Sequence, residues 1–265
     1  MTQLKIPDLS IDQYEADGFL ICQDPIVPTE IVQNASQGMD ALRSGQYETG
    51  IAPEPSYWEL GDDADKLCKI EMPQIANYAI MDLITYPSIG EAVAQITRAE
   101  MVQVWWVQLL GKPPATNRGQ TNIGWHQDQY YWRIWEAESQ LLTVWVAISN
   151  VTEQDGPMRL VKRSHRWGLL EQNDFYGQDH DQQMAETKLP ENEIWEEEMA
   201  LLPAGGASFH HCLAYHASGP NRSSTMRRSL AIHVRTEKSR PVNDQRTGLS
   251  RFIDNHDYCP VIYQS

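Results

Sequence analysis

Five short segments rich in β-branched and aromatic residues follow Met101, and they constrain the fold more than any other feature. Glycine, proline and asparagine separate them, as turn residues do between strands. Several short strands at such intervals are typical of a β-sandwich or barrel. We therefore predict a mainly β core over residues 101–235, with residues 236–265 as a C-terminal tail. The five segments are MVQVWWVQLL, LLTVWVAIS, MRLVK, MALLPAGGASF and RRSLAIHV.

Residues 1–100 have a different pattern, and we predict that they support this core mainly with helices. A short apolar strand is expected at Phe19–Cys22, directly after a glycine. Apolar residues spaced by three and four predict a helix from Thr29 to Ser44. Another helix is expected from Ser88, where Glu91 would complete a capping box. No repeat or linker divides the chain, so we predict one domain over residues 1–265.

A long polar segment, residues 168–198, interrupts the predicted strands. It carries ten acidic residues and one lysine. A connection of that length inside a compact domain is typical of a lid or of a disordered insertion. Two interpretations are open: a solvated surface insertion, or a lid that docks weakly and becomes ordered when substrate binds. The apolar anchors of such a lid would be Trp167 at its edge, Leu169, Leu170, Phe175, Tyr176 and Trp195.

The acidic composition argues against several kinds of partner. The chain has 36 Asp and Glu against 21 Lys and Arg, a net charge of −15 and a pI near 4.9. Nucleic acids and anionic membrane surfaces both require a basic face. No apolar run approaches the ~18 residues of a membrane span, and we find no signal peptide. The four cysteines form no CxxC pair and are interpreted as reduced thiols. We expect a cytoplasmic protein whose partner is a small molecule; the composition does not determine its oligomeric state.

The sharpest local signal is the run Trp125-His126-Gln127-Asp128. Residues i and i+2 of a strand point to the same face, so His126 and Asp128 can reach one metal ion. Two histidines and one carboxylate are the ligand set of many non-heme iron sites. A lone His-x-Asp pair is common by chance and is more often structural. A third ligand should be a distant histidine, and the candidates are His165, His210, His211, His216 and His233.

Among these candidates, His216 is followed in the sequence by a cation that could bind an anionic cosubstrate. An iron site that accepts an anionic cosubstrate needs a fixed positive charge for the far carboxylate, and arginine provides it as a bidentate fork. Arg227 follows His216 by 11 residues, at the start of a predicted strand. Because Arg228 is adjacent, either guanidinium could face the site.

In order along the chain, these motifs resemble the phytanoyl-CoA dioxygenase family of Fe(II)/2-oxoglutarate oxygenases. The resemblance covers most of the chain. One departure is Lys162-Arg163, which stands where the family has Pro-Gly, so this turn is expected to be rebuilt without a glycine. The matching elements are Tyr14 with Asp17-Gly18-Phe19, Lys112-Pro113-Pro114, Trp125-His126-Gln127-Asp128, Gly156-Pro157-Met158-Arg159-Leu160-Val161, Ser164-His165, and His216-Ala217-Ser218-Gly219-Pro220-Asn221 with Arg227.

The resemblance implies a double-stranded β-helix, which is a jelly roll of the cupin-like kind, with flanking helices. It further implies that Fe(II), 2-oxoglutarate and O2 convert a C–H bond of the substrate to an alcohol and release succinate and CO2. Related halogenases lack the carboxylate ligand, so Asp128 disfavours halogenation. The implied iron ligands are His126, Asp128 and His216, and the implied cosubstrate contacts are Arg227, Gln108, Trp145 and Ser218.

The substrate is constrained less than the cofactors. Tyr130 shares strand parity with His126 and Asp128, so it is predicted to point into the pocket. Trp106 and Arg133 are further candidate substrate contacts. No basic cluster is present for the phosphates of coenzyme A, so we expect an amino acid, a natural product, a phosphonate or a similar small metabolite.

Two other functions are compatible with the same residues. One is a metal-dependent hydrolase or isomerase on a jelly roll, with Zn or Mn held by His126, Asp128 and His216. The other is a non-catalytic, cupin-like binding protein. Arg227 favours the oxygenase over the hydrolase because hydrolysis requires no keto acid. Loss of a metal ligand would indicate the binding protein, and none of the three is lost.

Overall fold

Two antiparallel sheets form the framework of the computed structural model, which describes residues 9–116 and 121–265. The large sheet has the order β1-β8-β5-β10-β3-β11, with β2 also paired to β3, and the small sheet has the order β4-β9-β6-β7. This arrangement confirms the predicted jelly roll. The strands are β1 (Phe19–Cys22), β2 (Cys68–Glu71), β3 (Met101–Lys112), β4 (Ile123–His126), β5 (Leu141–Ala147), β6 (Met158–Val161), β7 (Glu197–Met199), β8 (Ala207–His211), β9 (His216–Ser218), β10 (Arg227–Thr236) and β11 (Val261–Gln264).

Five α-helices accompany the strands in the described ranges: α1 (Ile11–Asp17), α2 (Thr29–Arg43), α3 (Tyr78–Ile84), α4 (Pro87–Thr97) and α5 (His180–Glu186). The predicted strand at Phe19–Cys22 and the helix that begins at Thr29 are confirmed. The predicted capping box at Ser88 is wrong, because α4 begins one residue earlier and the Ser88 hydroxyl donates to the carbonyl of Ile26. None of these helices combines the length and hydropathy that a membrane span requires.

Alternation along the central strands separates a structural face from a cavity face. On β10, Leu230 and Ile232 point outward and join the apolar side chains of α2, α3 and α4 in one buried cluster. Ala231 and His233 point inward and line a cavity between the sheets. Successive residues of a strand point to opposite faces, so the packing of the helices on one face fixes which residues can form a site on the other.

The large sheet extends beyond the predicted core of residues 101–235. β1 pairs with β8, β2 pairs with β3, and β11 also pairs with β3. Residues 236–265 are therefore more than a tail, since they supply an edge strand. The segment 168–198 contains α5, and its last two residues belong to β7, which pairs with β6. The segment thus contributes the start of an edge strand of the small sheet.

The turn at Lys162-Arg163 keeps the backbone shape that a glycine would favour. Arg163 has φ of 67°, in the left-handed region, and its amide donates to the carbonyl of Asp17 at 2.9 Å. The residues after it approach the start of the chain, where Gly18 ends α1 with φ of 82°. A Cβ atom at Gly18 would overlap the ring of His165. His165 therefore packs against the α1–β1 turn, and its position is structural.

We predict that Gly18→Ala destabilises the protein by about 2–3 kcal/mol, because left-handed strain of ~1 kcal/mol adds to the overlap with His165. Gly50→Ala is the matched control: Gly50 has φ of 77°, and nothing lies within 4 Å of a Cβ there. That variant should lose only about 1 kcal/mol. Urea unfolding of both variants measures the difference, and equal losses would show that the His165 contact contributes nothing.

Candidate active site

The two histidines of the predicted metal site lie opposite each other on neighbouring strands. His126, the last residue of β4, pairs in register with His216, the first residue of β9. The strand does not continue to Asp128, which begins a short 3-10 helix over residues 128–130. The strand-parity argument for His126 and Asp128 is therefore wrong in its geometry, although the turn still brings the carboxylate to the same side.

Three donor atoms converge at this point. The Nδ1 atoms of His126 and His216 contact the carbonyls of Gly124 and Ala214 at 2.8 and 2.9 Å. These contacts orient each ring so that Nε2 faces Asp128, whose Oδ1 lies 3.7 Å from the first Nε2 and 4.0 Å from the second. The candidate ligand atoms of the three buried residues lie within 4.8 Å of one another. A carboxylate oxygen and two imidazole nitrogens so arranged could hold a divalent metal ion.

The other oxygen of Asp128 is held by the large sheet. Thr143 on β5 donates its hydroxyl to Oδ2 at 2.7 Å, and Nε2 of His210 on β8 lies 3.3 Å from the same atom. The hydroxyl has one proton, so Nδ1 of His233, 2.8 Å away, must donate to it. Burial lowers the pKa of His233 to about 4, which keeps this ring neutral at ordinary pH. His210 thus contacts the carboxylate from outside the three-donor group.

The protonation states match those of metal ligands. Burial opposes ionisation of Asp128, but its contacts with His126, His210 and His216 outweigh that effect and hold the pKa of the carboxyl well below its usual range. Burial, followed by the neighbouring His126 and His210, lowers the pKa of His216 well below its usual value. The site therefore presents an anionic oxygen and a neutral imidazole, the forms in which these groups bind metals.

A buried cation lies in the floor of the same cavity. Arg227 is 1% exposed, donates from Nη1 to the carbonyl of Gly156 at 2.6 Å, and has its guanidinium 5.2 Å from the ring centre of Trp145. Its Nε is buried and finds no hydrogen-bond partner within the described ranges. Burial lowers the pKa of Arg227 to about 10, against the opposing charge of Asp155. An unsatisfied buried guanidinium fits an anion such as a carboxylate.

Lys112 is a second buried basic side chain beside this floor. It is fully buried and pairs in register with Arg227 across β3 and β10. Its ammonium donates to the carbonyls of Ser218 and Gly219 at 3.0 and 2.6 Å, and to the Ser218 hydroxyl at 2.7 Å. Because the Ser218 oxygen accepts from Lys112, its own proton is available to a ligand in the cavity.

All seven residues predicted for metal and cosubstrate line this one cavity: His126, Asp128, His216, Gln108, Trp145, Ser218 and Arg227. Arg227, rather than Arg228, faces inward, since Arg228 forms an ion pair with Asp40 of α2. The amide of Gln108 donates to Glu71 at 3.3 Å.

The cavity continues into a second space, which we call the outer chamber. Five residues line both spaces: Gln108, His126, Asp128, Phe175 and His233. Of the three predicted substrate contacts, Trp106 lines this chamber. Tyr130 and Arg133 are not among the described residues around it; the Arg133 guanidinium instead lies 5.0 Å from the Tyr130 ring centre. The parity argument for Tyr130 is wrong because Tyr130 belongs to the 3-10 helix.

Several residues of the site did not enter the sequence prediction. These are Lys69 and Glu71 of β2, which line the outer chamber. Tyr131, an aromatic neighbour of Tyr130 in the sequence, also lines it. One sequence signal could have identified Lys69 and Glu71. Apolar and charged residues alternate along Cys68–Glu71, and Cys68 and Ile70 are the members that the core buries.

Residues 168–198 contact the metal motif directly. The amide of Gly124 donates to the Phe175 carbonyl at 2.9 Å, and the Phe175 ring lies 5.0 Å from that of His126. Gln127 donates to the carbonyl of Gly168 and accepts from the amide of Leu170, at 2.8 and 2.7 Å. The segment therefore forms part of the cavity wall, and its ordering by substrate stays a prediction.

Comparison with known families finds a match over most of the chain. The sequence model of the phytanoyl-CoA dioxygenase (PhyH) family matches residues 14–229. A curated protein of Stutzerimonas stutzeri, a probable alpha-ketoglutarate-dependent hypophosphite dioxygenase, is 23% identical over 188 residues. That match covers 69% of this chain and 63% of the relative, which is less than two thirds of its length.

Solved structures share the fold. The non-heme alpha-ketoglutarate-dependent carbocyclase SnoK from nogalamycin biosynthesis superposes with a TM-score of 0.67 at 18% identity, covering 91% of this chain and 89% of that one. The epimerase SnoN from the same biosynthesis has a TM-score of 0.66 at 19% identity, covering 87% of this chain and 83% of that one. At these identities the likeness establishes the jelly roll alone.

We predict that Thr143→Val weakens binding of Fe(II) or Co(II) by roughly 10- to 100-fold, because partners that orient a metal ligand contribute affinities of this order. The change removes the hydroxyl between Asp128 and His233 with almost no change in volume. Anaerobic calorimetric titration of the metal-free protein provides the measurement. Ser208→Ala is the control, since the Ser208 hydroxyl is buried on β8 without a partner in the described chain. Equal affinities for both variants would contradict the prediction.

Proposed function

Because the chain belongs to the phytanoyl-CoA dioxygenase family, we propose that it is an Fe(II)- and 2-oxoglutarate-dependent dioxygenase that hydroxylates a C–H bond of a small molecule. One observation carries the proposal: three buried donor atoms of two histidines and a carboxylate share a cavity with an unsatisfied buried guanidinium. A metal ion and an anion are the two ligands that these groups can bind together.

Each residue has a defined role in this proposal. His126, Asp128 and His216 would hold Fe(II), which leaves three positions of an octahedron for non-protein ligands. Arg227 would bind the far carboxylate of 2-oxoglutarate, with the Ser218 hydroxyl as a second donor. Lys112 would orient that hydroxyl through its 2.7 Å bond.

The chemistry requires a dry and shaped cavity. With iron and 2-oxoglutarate bound, O2 would be the oxidant: one oxygen atom would enter succinate as CO2 leaves, and the other would enter the substrate as its hydroxyl group. Trp145 covers the guanidinium of Arg227, and the Phe175 ring packs against His126. These side chains exclude water from the cosubstrate and from the metal ligands.

Arg227 also separates the proposal from its alternatives. A hydrolase or isomerase would need the metal ligands, but it would gain nothing from a buried arginine whose Nε is left without a hydrogen-bond partner in the described structure. Burying an unpaired charge is costly, so its presence favours a ligand that carries an anion. A non-catalytic binding protein would not need a carboxylate such as Asp128, with one oxygen held by the protein and the other directed toward a metal ion.

We predict that Arg227→Met weakens 2-oxoglutarate binding by roughly 30-fold or more, because loss of one partner of a buried charge pair costs about 2–5 kcal/mol. Calorimetry of the Ni(II)-loaded protein under nitrogen measures the affinity, and nickel binding itself should be unchanged. Arg228→Met is the control, because its guanidinium pairs with Asp40 outside the cavity. If Arg228→Met gave the larger loss instead, the assignment of the cosubstrate site would be wrong.

We predict that the Fe(II) protein converts 2-oxoglutarate to succinate and that Asp128→Ala abolishes this conversion. A substrate found by screening for faster succinate release should gain one oxygen atom, traced with 18O2 by mass spectrometry. A product of unchanged mass would indicate epimerisation, and a loss of two hydrogens would indicate cyclisation or desaturation.

Phe175→Ala should raise the ratio of succinate to oxidised product, since it opens the wall beside His126. An unchanged ratio would show that the Phe175 ring does not protect the site from unproductive turnover.

A further inference from the structure

We infer that Lys69, fixed by Glu71, binds an oxyanionic group of the substrate, so that the substrate is a small organic carboxylate or phosphonate with an apolar body. The role as a substrate contact rests on the proposed function. The binding itself depends only on the wall of the outer chamber.

The Lys69–Glu71 pair lies close to the candidate metal site. Both side chains project from β2 into the outer chamber, which His126 and Asp128 also line. The ammonium of Lys69 lies 2.8 Å from Oε1 of Glu71, and the side chains are 12% and 14% exposed. Such a pair is screened little by solvent, so its charges act strongly on a bound ligand.

Counting hydrogen-bond capacity shows which member of the pair is available. Glu71 already accepts from the Trp106 indole at 2.6 Å, from the Gln108 amide at 3.3 Å and from Lys69. A carboxylate has about four acceptor sites, so it is nearly saturated. An ammonium has three donors, and in the described structure Glu71 is the polar partner that Lys69 contacts. The spare capacity is therefore on the donor side.

A second donor faces the same space. The Tyr131 hydroxyl accepts from the amide of Phe175 at 2.9 Å, which leaves its own proton free. The wall thus offers an ammonium and a phenol to a ligand, whereas Glu71 would repel an anion if Lys69 were absent. In a chain of net charge −15, a local cation is needed to admit an anionic substrate.

Aromatic side chains determine the rest of the ligand. The Lys69 ammonium lies 4.8 Å from the ring centre of Phe175, and Trp106, Trp132 and Tyr176 also line the chamber. Such walls favour a flat or ring-shaped apolar body. Arg227 lines only the inner cavity and Lys69 only the outer chamber, so the two cations serve two different anions.

The test uses the protein loaded with Ni(II) and 2-oxoglutarate under nitrogen, so that Arg227 is occupied. Benzoate, phenylphosphonate and neutral benzamide are the probes, titrated by calorimetry. We expect at least one anion to bind wild type and Lys69→Arg, and to bind Lys69→Met roughly tenfold more weakly, as for loss of a charged hydrogen bond. Lys162→Met is the matched control, a partly buried lysine paired with Glu196 and Glu198 on the other sheet.

Equal anion binding by Lys69→Met and wild type would overturn the inference, as would tighter binding of benzamide than of either anion, or no anion binding by wild type. Benzoate and phenylphosphonate distinguish a carboxylate from a phosphonate preference. The proposed function fails separately, when wild type does not bind 2-oxoglutarate in the loading step. In that case the probes are titrated into the metal-free protein, and dependence on Lys69 is measured in the same way.

Discussion

The Asp128 carboxylate is a negative charge inside a barrel, and the surrounding strands are arranged to compensate it. An isolated buried carboxylate would take up a proton and lose its value as a ligand. Thr143 and His210 of the large sheet compensate Oδ2, while His126 and His216 of the small sheet lie beside Oδ1. Each carboxylate oxygen thus contacts side chains of one sheet. A metal ion bound at Oδ1 would connect the two sheets through Asp128.

At the floor of the cavity the buried side chains are basic instead of acidic. Arg227 and Lys112 are both buried, and Asp155 is the acidic group that acts on the arginine. Arg227 also lowers the pKa of Lys112 further, after the larger effect of burial. A buried arginine whose Nε has no hydrogen-bond partner in the described structure destabilises the ligand-free protein, and an anion bound there would relieve that cost. An anion that binds at Arg227 would therefore also raise the free energy of unfolding.

The candidate ligands could be predicted from the sequence because they occur in short motifs whose chemistry is local, such as His126-Gln127-Asp128. Tyr130 could not be placed, since β4 ends at His126 and the side chain of Gln127 bonds to the carbonyls of Gly168 and Leu213 instead of continuing the strand. Lys69 was missed for another reason. Its strand is four residues long, and its place beside the cavity depends on pairing with β3, which no local pattern encodes.

Several side chains of the outer chamber come from segments that supply none of the candidate metal ligands. Lys69 and Glu71 come from β2, Tyr131 from the turn after β4, and Phe175 from residues 168–198. The partners of Asp128 and Arg227 come instead from β5, β8, β10 and the loop at Gly156. The charges of Lys69 and Glu71 still reach the inner site, because, beside the larger effect of burial, Glu71 raises and Lys69 lowers the pKa of His233. One jelly roll can therefore host different substrates beside the same cofactor site when the segments that build the chamber vary.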